Sequence, residues 1–324
     1  MTSGVPKAEL HCHIEGAADP ALVRRLAARH GIDLDGLFTP DGSYRWHDFG
    51  SFLTAYDRAS SVFRTPEDFR DLAFDYFARI AADGAVYGEI FIAPDVVAVS
   101  GIPCADYVAG LAAGLMDAEA AHGIVGRMIV VGIRHLGPDR VRATAEWTAA
   151  NPHPLLTGFG LAGDETAFPA PLFADAFRIA RDAGLGITAH AGELAGPKSV
   201  ADAIDHLHVR RIGHGVRAIE DPALVRRLAA EGIVLELCPG SNVALGLYPD
   251  LAAHPFRRLM DAGVRVTINA DDPPYFHTSL GEEYARLAAA QHLSAADLAR
   301  ATRTAVEAAF VDEATRARLL ARLG

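Results

Sequence analysis

The sequence predicts an α/β fold in which eight parallel strands and the helices between them form a (β/α)8 TIM barrel. Eight short apolar runs recur along the 324 residues, and amphipathic segments with helical spacing separate them. No repeat, low-complexity tract or linker divides the chain. A doubly wound sheet alternates strands and helices in the same way, so alternation alone leaves that architecture open. We expect one barrel domain over residues 1–324.

The predicted elements follow one another regularly. Segments such as ALVRRLAARHG (21–31), FRDLAFDYFARIAADG (69–84) and PALVRRLAAEG (222–232) place apolar residues at helical spacing and end at glycine. The strand candidates are AELHCHIEG (8–16), VYGEIFIAP (86–94), VGRMIVVGIR (125–134), LTGFGLAGD (156–164), GITAHAGE (186–193), RIGHGV (211–216), IVLELCPGSN (233–242) and VRVTINADD (264–272).

The longest departure from this alternation lies between residues 31 and 65. Its FGSFLTAYDRASSVF stretch (49–63) carries large apolar side chains at roughly helical spacing. Two interpretations are open: these side chains pack into the core, or they form a helical flap over an apolar pocket at the mouth of the barrel. The residues are Phe49, Phe52, Leu53, Tyr56 and Phe63.

Composition excludes several classes of protein. A net charge of −11 argues against nucleic-acid binding through a basic patch, and it favours a small neutral or weakly charged ligand. The three cysteines are widely separated, which excludes a disulfide framework and a cysteine-rich zinc site. The chain shows neither a signal peptide nor an apolar stretch long enough for a membrane. We expect a cytoplasmic protein with no membrane partner; the oligomeric state has no readable signal.

Side chains suited to metal binding or acid–base chemistry follow five of the predicted strands. The C-terminal ends of barrel strands converge on one face, where active sites lie, so these side chains would share one cup. Each also has a structural explanation, as a core histidine, a turn residue or a helix cap. Five such coincidences at strand ends are harder to accept than one shared site. The residues are His11, His13, Glu15, Gly163, Asp164, Glu165, His190, Glu193, His214, Asp271 and Asp272.

Three imidazoles and one carboxylate in this set suit a zinc ion. Alternate side chains of a strand share a face, so His11 and His13 would point the same way. Zinc would leave one position for a water and lower the pKa of that water towards about 7. The candidate ligands are His11, His13, His190 and Asp271.

His214 would either orient or deprotonate the water. A carboxylated lysine at the end of the fourth strand would indicate two metals, but the only lysines, Lys7 and Lys198, lie elsewhere. We therefore expect one zinc ion per chain. Most other histidines, His254 among them, lie in predicted helices or loops without partner motifs, and His47 and His135 remain unassigned.

Six motifs in order resemble the adenosine deaminase family of the amidohydrolase superfamily: PKAELHCHIEG, LAGDE, HAGE, IGHGV, CPGSN and NADDP. The resemblance runs from residue 6 into the C-terminal third. It implies a zinc-dependent hydrolase in which an activated water attacks C6 of a purine and the tetrahedral intermediate loses ammonia. It also implies that Glu193 protonates ring N1, His214 positions the water, Asp271 binds the metal and Asp272 hydrogen-bonds N7.

The same resemblance implies contacts to the rest of the substrate. The backbone N–H of Gly163 matches a contact to purine N3. The residues that resemble the flap over the purine are Phe52, Leu53 and Tyr56. At residue 15 the mammalian-type motif has an aspartate, which contacts the ribose hydroxyls together with the histidine at position 13. Glu15 instead resembles the HIEG form of adenine deaminases.

Two signals therefore conflict over the substrate. HIEG favours the free base, whereas LAGDE favours the nucleoside because adenine deaminases carry a different stretch there. Giving LAGDE more weight, we expect deamination of adenosine and 2′-deoxyadenosine. The alternatives are an adenine deaminase, a deaminase of a modified purine, and a metal-binding nucleoside sensor without catalysis. Glu193 and His214 are both present, which argues against the sensor, and the Cys-ligated base-editing type of deaminase lacks its motif here.

Overall fold

The computed structural model describes residues 4–324, without the side chains of Phe49 and Val99. Eight parallel strands pair in sequence order from β1 to β8, which confirms the predicted (β/α)8 barrel. The strands are β1 Lys7–Glu9, β2 Ala85–Ile92, β3 Val125–Ile133, β4 Leu156–Ala162, β5 Gly186–Ala191, β6 Arg211–His214, β7 Val234–Leu237 and β8 Arg265–Ile268.

The helices lie between and after these strands. They are α1 Pro20–His30, α2 Phe49–Ser60, α3 Pro66–Ala82, α4 Pro94–Val97, α5 Cys104–His122, α6 Pro138–Ala150, α7 Ala174–Asp182, α8 Pro197–Asp202, α9 Pro222–Glu231, α10 Pro239–Ala244, α11 Phe256–Asp261, α12 Leu280–Gln291, α13 Ala295–Ala308 and α14 Glu313–Ala321. Within residues 4–324, none of them combines the length and the apolar character needed to cross a membrane.

Two of the helices that the sequence predicts show why its local signals were sufficient. In both α1 and α9 an aspartate side chain accepts a backbone N–H in the first turn, and a proline follows as the first helical residue. Each helix ends at a glycine in the left-handed region, Gly31 with φ 65° and Gly232 with φ 66°. The caps are Asp19 and Asp221.

The first strand is shorter than predicted. It ends at Glu9, so His11 and His13 follow the strand instead of lying within it. The segment beyond β1 closes the barrel against the chain after β8: the His13 N–H donates to the Asp271 carbonyl at 3.0 Å, and the Asp271 N–H donates to the His11 carbonyl at 3.2 Å. Closure of the barrel thus brings three candidate ligands together.

Both interpretations of the 49–63 stretch hold, for different residues. Phe63 is fully buried in the core. Phe52, Leu53 and Tyr56 lie on α2 and line a cavity at the C-terminal face of the barrel, as the flap interpretation predicts. The Phe49 side chain lies outside the described residues.

A row of buried charges crosses the barrel below this face. Arg211 on β6 contacts Glu89 on β2 at 2.7 Å and Glu236 on β7 at 2.5 Å, with all three side chains at most 1% exposed. The other Glu236 oxygen contacts His11 at 2.9 Å. Because buried charges are stable only when they are paired, this row is one ionic unit. It connects the barrel interior to the candidate metal ligands.

Candidate active site

The four predicted metal ligands lie together. One ligand atom from each of His11, His13, His190 and Asp271 falls within 4.8 Å of the others. His11 and His13 follow β1, His190 lies in β5 and Asp271 follows β8, so three separate strands supply the group. Asp271 Oδ1 is 3.4 Å from His11 Nε2 and 3.5 Å from His13 Nε2.

Hydrogen bonds on the far sides of two rings set which nitrogen faces the group. His11 Nδ1 donates to Glu236 Oε2 at 2.9 Å, and His190 Nδ1 donates to the Leu161 carbonyl at 2.9 Å. Both Nε2 atoms are then lone-pair donors directed at the same point. This is the arrangement that metal-binding histidines adopt.

The donor set fits a divalent cation. His11 Nε2 is buried and has no hydrogen-bond partner among the described residues. The Nε2 atoms of His13 and His190 approach to 3.2 Å, although the His190 nitrogen carries a lone pair towards its neighbour. A cation bound to these atoms would satisfy all three. Three imidazole nitrogens and one carboxylate oxygen are a ligand set typical of zinc.

The charges of the group agree with this. Burial lowers the pKa of His13 to about 4 and places the pKa of His190 well below its usual value, so both rings are neutral and able to bind a metal. Burial would raise the pKa of Asp271, but the hydrogen bond and the charges of the surrounding histidines outweigh it and keep this carboxylate ionised. Burial also opposes the charge on His11, whose pKa Asp271 and Glu236 nevertheless raise to about 9. A bound cation would replace that proton.

Two residues of the site adopt left-handed backbone conformations that are uncommon for side-chain-bearing residues. His214 has φ 59° and Asp271 has φ 64°. Such conformations cost roughly 1–3 kcal/mol each and persist only where the surrounding structure enforces them. Here they turn both side chains towards the same point above the barrel.

Glu193 lies in the loop after β5, and Glu165 holds that loop in place. The Glu165 carboxylate accepts the N–H groups of residues 192–195 at 2.5, 3.0, 2.8 and 2.9 Å. Glu193 Oε1 is 3.5 Å from His214 Nδ1 and lines the cavity. Burial, with the negative charges of Asp271 and Glu165, raises the pKa of Glu193 to about 8. The group therefore holds a proton at neutral pH and can donate it.

Asp272 is a second buried acid on the cavity wall. Its Oδ1 is buried and has no hydrogen-bond partner among the described residues, so it is available to a ligand. Burial and the charge of Asp271 place the pKa of Asp272 well above its usual value. Gly16 makes room for it, because a Cβ at residue 16 would lie 1.6 Å from that oxygen.

These groups surround one cavity of about 330 Å³ at the C-terminal face of the barrel. A volume of this size is typical of small-molecule sites. Gly163, with φ +92°, lines it beside His135, whose Nδ1 accepts the Asp164 N–H at 3.3 Å. The apolar part of the wall comes from α2 and from the loops after the strands. It includes Phe52, Leu53, Tyr56, Val96, Ile133, Leu136, Leu245 and Phe276.

Glu15 is placed differently from the other predicted site residues. Its side chain is 1% exposed and does not line the cavity. One carboxylate oxygen accepts a short hydrogen bond from the Tyr107 hydroxyl, and the other lies 3.3 Å from the Tyr56 hydroxyl. The Ala93 N–H donates to Tyr107 at 3.1 Å, so Tyr107 directs its own proton at Glu15. The carboxylate is therefore engaged within the protein, behind Tyr56.

Several residues of the site were not singled out from the sequence. Glu236 and Glu165 hold His11 and the Glu193 loop, while Asn242 and His254 lie behind His214. Glu236 had a detectable signal, since it is a lone acid within the apolar strand segment IVLEL. His254 had none, because its partner becomes visible only in the fold.

We expect Glu236→Gln to weaken metal binding by about 10- to 100-fold, because an amide is a poorer acceptor for the His11 ring and no longer balances Arg211. Competition with a chelator measures the affinity. Glu231→Gln, at an exposed position on α9, is the matched control. Equal affinities in the two variants would contradict the role of Glu236.

Comparison with known proteins agrees with the geometry. The model of the adenosine deaminase family matches residues 6–324. An adenine deaminase from Sinorhizobium medicae is 55% identical over 323 residues, covering 100% of this chain and 99% of that protein. The crystal structure of an adenine deaminase from Arthrobacter aurescens superposes with a TM-score of 0.91 at 33% identity, covering 99% of this chain and 98% of that one.

A third relative bears on the metal. The structure of an amidohydrolase from Burkholderia ambifaria, solved with bound Zn, has a TM-score of 0.89 at 32% identity over 98% of this chain and 89% of that one. With these relatives, the protein is a hydrolase that acts on a C–N bond of a cyclic amidine. The chain belongs to the adenosine deaminase family.

Proposed function

We propose that this enzyme is an adenine deaminase, which hydrolyses adenine to hypoxanthine and releases ammonia. The placement of Glu15 carries the proposal: its carboxylate is held by Tyr107 and Tyr56 and leaves no acceptor for ribose hydroxyls at that position. Relatives that match the whole chain at 55% and 54% identity are named adenine deaminases. These observations favour the free base over adenosine, the substrate that LAGDE led us to expect.

The metal in this proposal is one zinc ion per chain, held by His11, His13, His190 and Asp271. A second group that could hold an ion shares His11 and Asp271 with the first, so the two describe overlapping positions for one cation. When bound, zinc supplies Lewis acidity that lowers the pKa of a water molecule.

The remaining chemistry belongs to the side chains around the cavity. Glu193, protonated at neutral pH, donates its proton to ring N1 and makes C6 electrophilic. Asp272 hydrogen-bonds N7 with its unpartnered oxygen. The Gly163 N–H meets N3, and the α2 side chains Phe52, Leu53 and Tyr56 cover the purine faces. Water adds at C6, the C6–N6 bond breaks, and the amine leaves as ammonia.

The test is ammonia release by zinc-loaded protein from adenine, adenosine and 2′-deoxyadenosine at equal concentrations. We expect adenine to be preferred by a large factor in kcat/KM, because a nucleoside must find room for a sugar whose hydroxyls meet no free acceptor at Glu15. Preference for either nucleoside would overturn the proposal in favour of adenosine deaminase. Turnover of none of the three would overturn it in favour of another ring amine.

A further inference from the structure

Asn242 joins two buried histidines that lie behind the cavity. It belongs to α10, immediately after β7, and its side chain is fully buried. Its amide oxygen is 3.1 Å from His254 Nε2, and its amide nitrogen is 3.3 Å from His214 Nδ1. His254 lies just before α11 and does not line the cavity. The two contacts form a continuous chain of hydrogen bonds that ends at His214.

The direction of this chain is set at its far end. The Phe256 backbone N–H donates to His254 Nδ1 at 3.2 Å, so that nitrogen is an acceptor. Burial lowers the pKa of His254 to about 3 and keeps the ring neutral, with a single proton. That proton must be on Nε2, where it donates to the oxygen of Asn242. The orientation of the Asn242 amide follows, since its oxygen faces His254 and its NH2 group faces His214.

The two amide hydrogens of Asn242 then have two acceptors. One is directed at His214 Nδ1 and the other at Glu193 Oε1, which lies 3.5 Å from the same nitrogen. A proton on His214 Nδ1 would place two N–H groups against each other. The proton of His214 therefore belongs on Nε2, which faces the metal-ligand side of the site at 4.0 Å from Asp271 Oδ2.

We propose that Asn242 and His254 are positioning residues that hold His214 in the Nε2–H tautomer, so that His214 presents a hydrogen-bond donor to the attacking water. This decides between the two roles left open by the sequence: His214 orients the water and does not take its proton. The inference rests on the proposed deaminase reaction for its catalytic meaning, whereas the tautomer can be measured without substrate.

Nuclear magnetic resonance can read the tautomer directly. In zinc-loaded protein with ¹⁵N-labelled histidine, two-bond ¹H–¹⁵N correlations distinguish a protonated Nε2 from a protonated Nδ1. The spectrum of His214→Gln identifies the His214 signals by their loss. We expect a protonated Nε2 and an unprotonated Nδ1. The opposite pattern would overturn the assignment, whatever substrate the enzyme uses.

Variants test whether the chain causes the tautomer. Asn242→Asp keeps the side-chain shape but replaces the donor towards His214 with an acceptor, so we expect the His214 proton to move to Nδ1. We expect kcat on adenine to fall by about 10²-fold, the effect of losing one transition-state donor, with KM and zinc content near wild type. An unchanged tautomer and kcat in this variant would overturn the proposal.

His254 offers a matched pair that does not touch Glu193. His254→Gln retains an N–H for the Asn242 oxygen, whereas His254→Leu removes it. We expect the glutamine variant to keep kcat within the same order of magnitude and the leucine variant to lose about 10-fold, with mixed His214 tautomers. Equal kcat values in two folded, zinc-loaded variants would overturn the role of His254. Absence of adenine turnover in the wild type, with the expected tautomer, would instead contradict the proposed function alone.

Discussion

Glu193→Gln is expected to lower kcat on adenine by about 10²- to 10⁴-fold, the contribution of a positioned general acid. The glutamine amide has the same shape but cannot donate and recover a proton at ring N1. Zinc content is expected to stay at the wild-type level, because Glu193 is not among the four clustered ligands. Steady-state kinetics together with metal analysis measure both quantities. Near-wild-type turnover would remove the assigned role.

The same residue predicts a pH dependence. The folded-state pKa of Glu193 is raised to about 8, first by burial and then by the charges of Asp271 and Glu165. The protonated, active form is therefore present below this pKa and is lost as pH rises through about 8. In a profile of kcat/KM, the alkaline decline should be present in the wild type and absent from Glu193→Gln. A decline of the same size in both would assign it to another group.

His11→Ala is expected to abolish metal binding and, with it, turnover. The variant removes one of four ligands and also leaves Glu236 with its charge unpaired on the His11 side. After dialysis, zinc content should fall from about one ion per chain to near zero.

His122→Ala is the matched control for this experiment, since that histidine is exposed at the end of α5. Circular dichroism of both variants shows whether the barrel has folded. A folded His11→Ala protein that retains stoichiometric zinc would contradict the assignment of His11 as a ligand.

Much of the fold could be predicted from the sequence because its signals are local. The paired Asp-Pro starts and glycine ends of α1 and α9 are read within a few residues. The metal group could be predicted as well, since barrel topology brings strand ends together once the strands are recognised. The length of β1 could not, because its pairing ends where the chain turns towards the end of β8.

The substrate preference could not be read in the same way. Glu15 and Tyr107 are 92 positions apart, and only the fold shows that the hydroxyl occupies the carboxylate. The sequence offers Glu15 simply as an acid next to a metal motif, which is compatible with either a sugar or a free base. The same limit applies to His254, whose importance depends on one buried amide between two helices and a strand end.

The buried row Glu89–Arg211–Glu236 has a consequence for engineering this barrel. Replacing buried ion pairs with well-packed apolar residues is a common route to greater thermal stability. Here such repacking would release the carboxylate that orients His11, so a more heat-resistant barrel would bind its metal less tightly. Selection for thermostability alone would favour proteins that survive heating and have lost their catalyst. A screen for improved variants of this enzyme should therefore score retained metal alongside melting temperature.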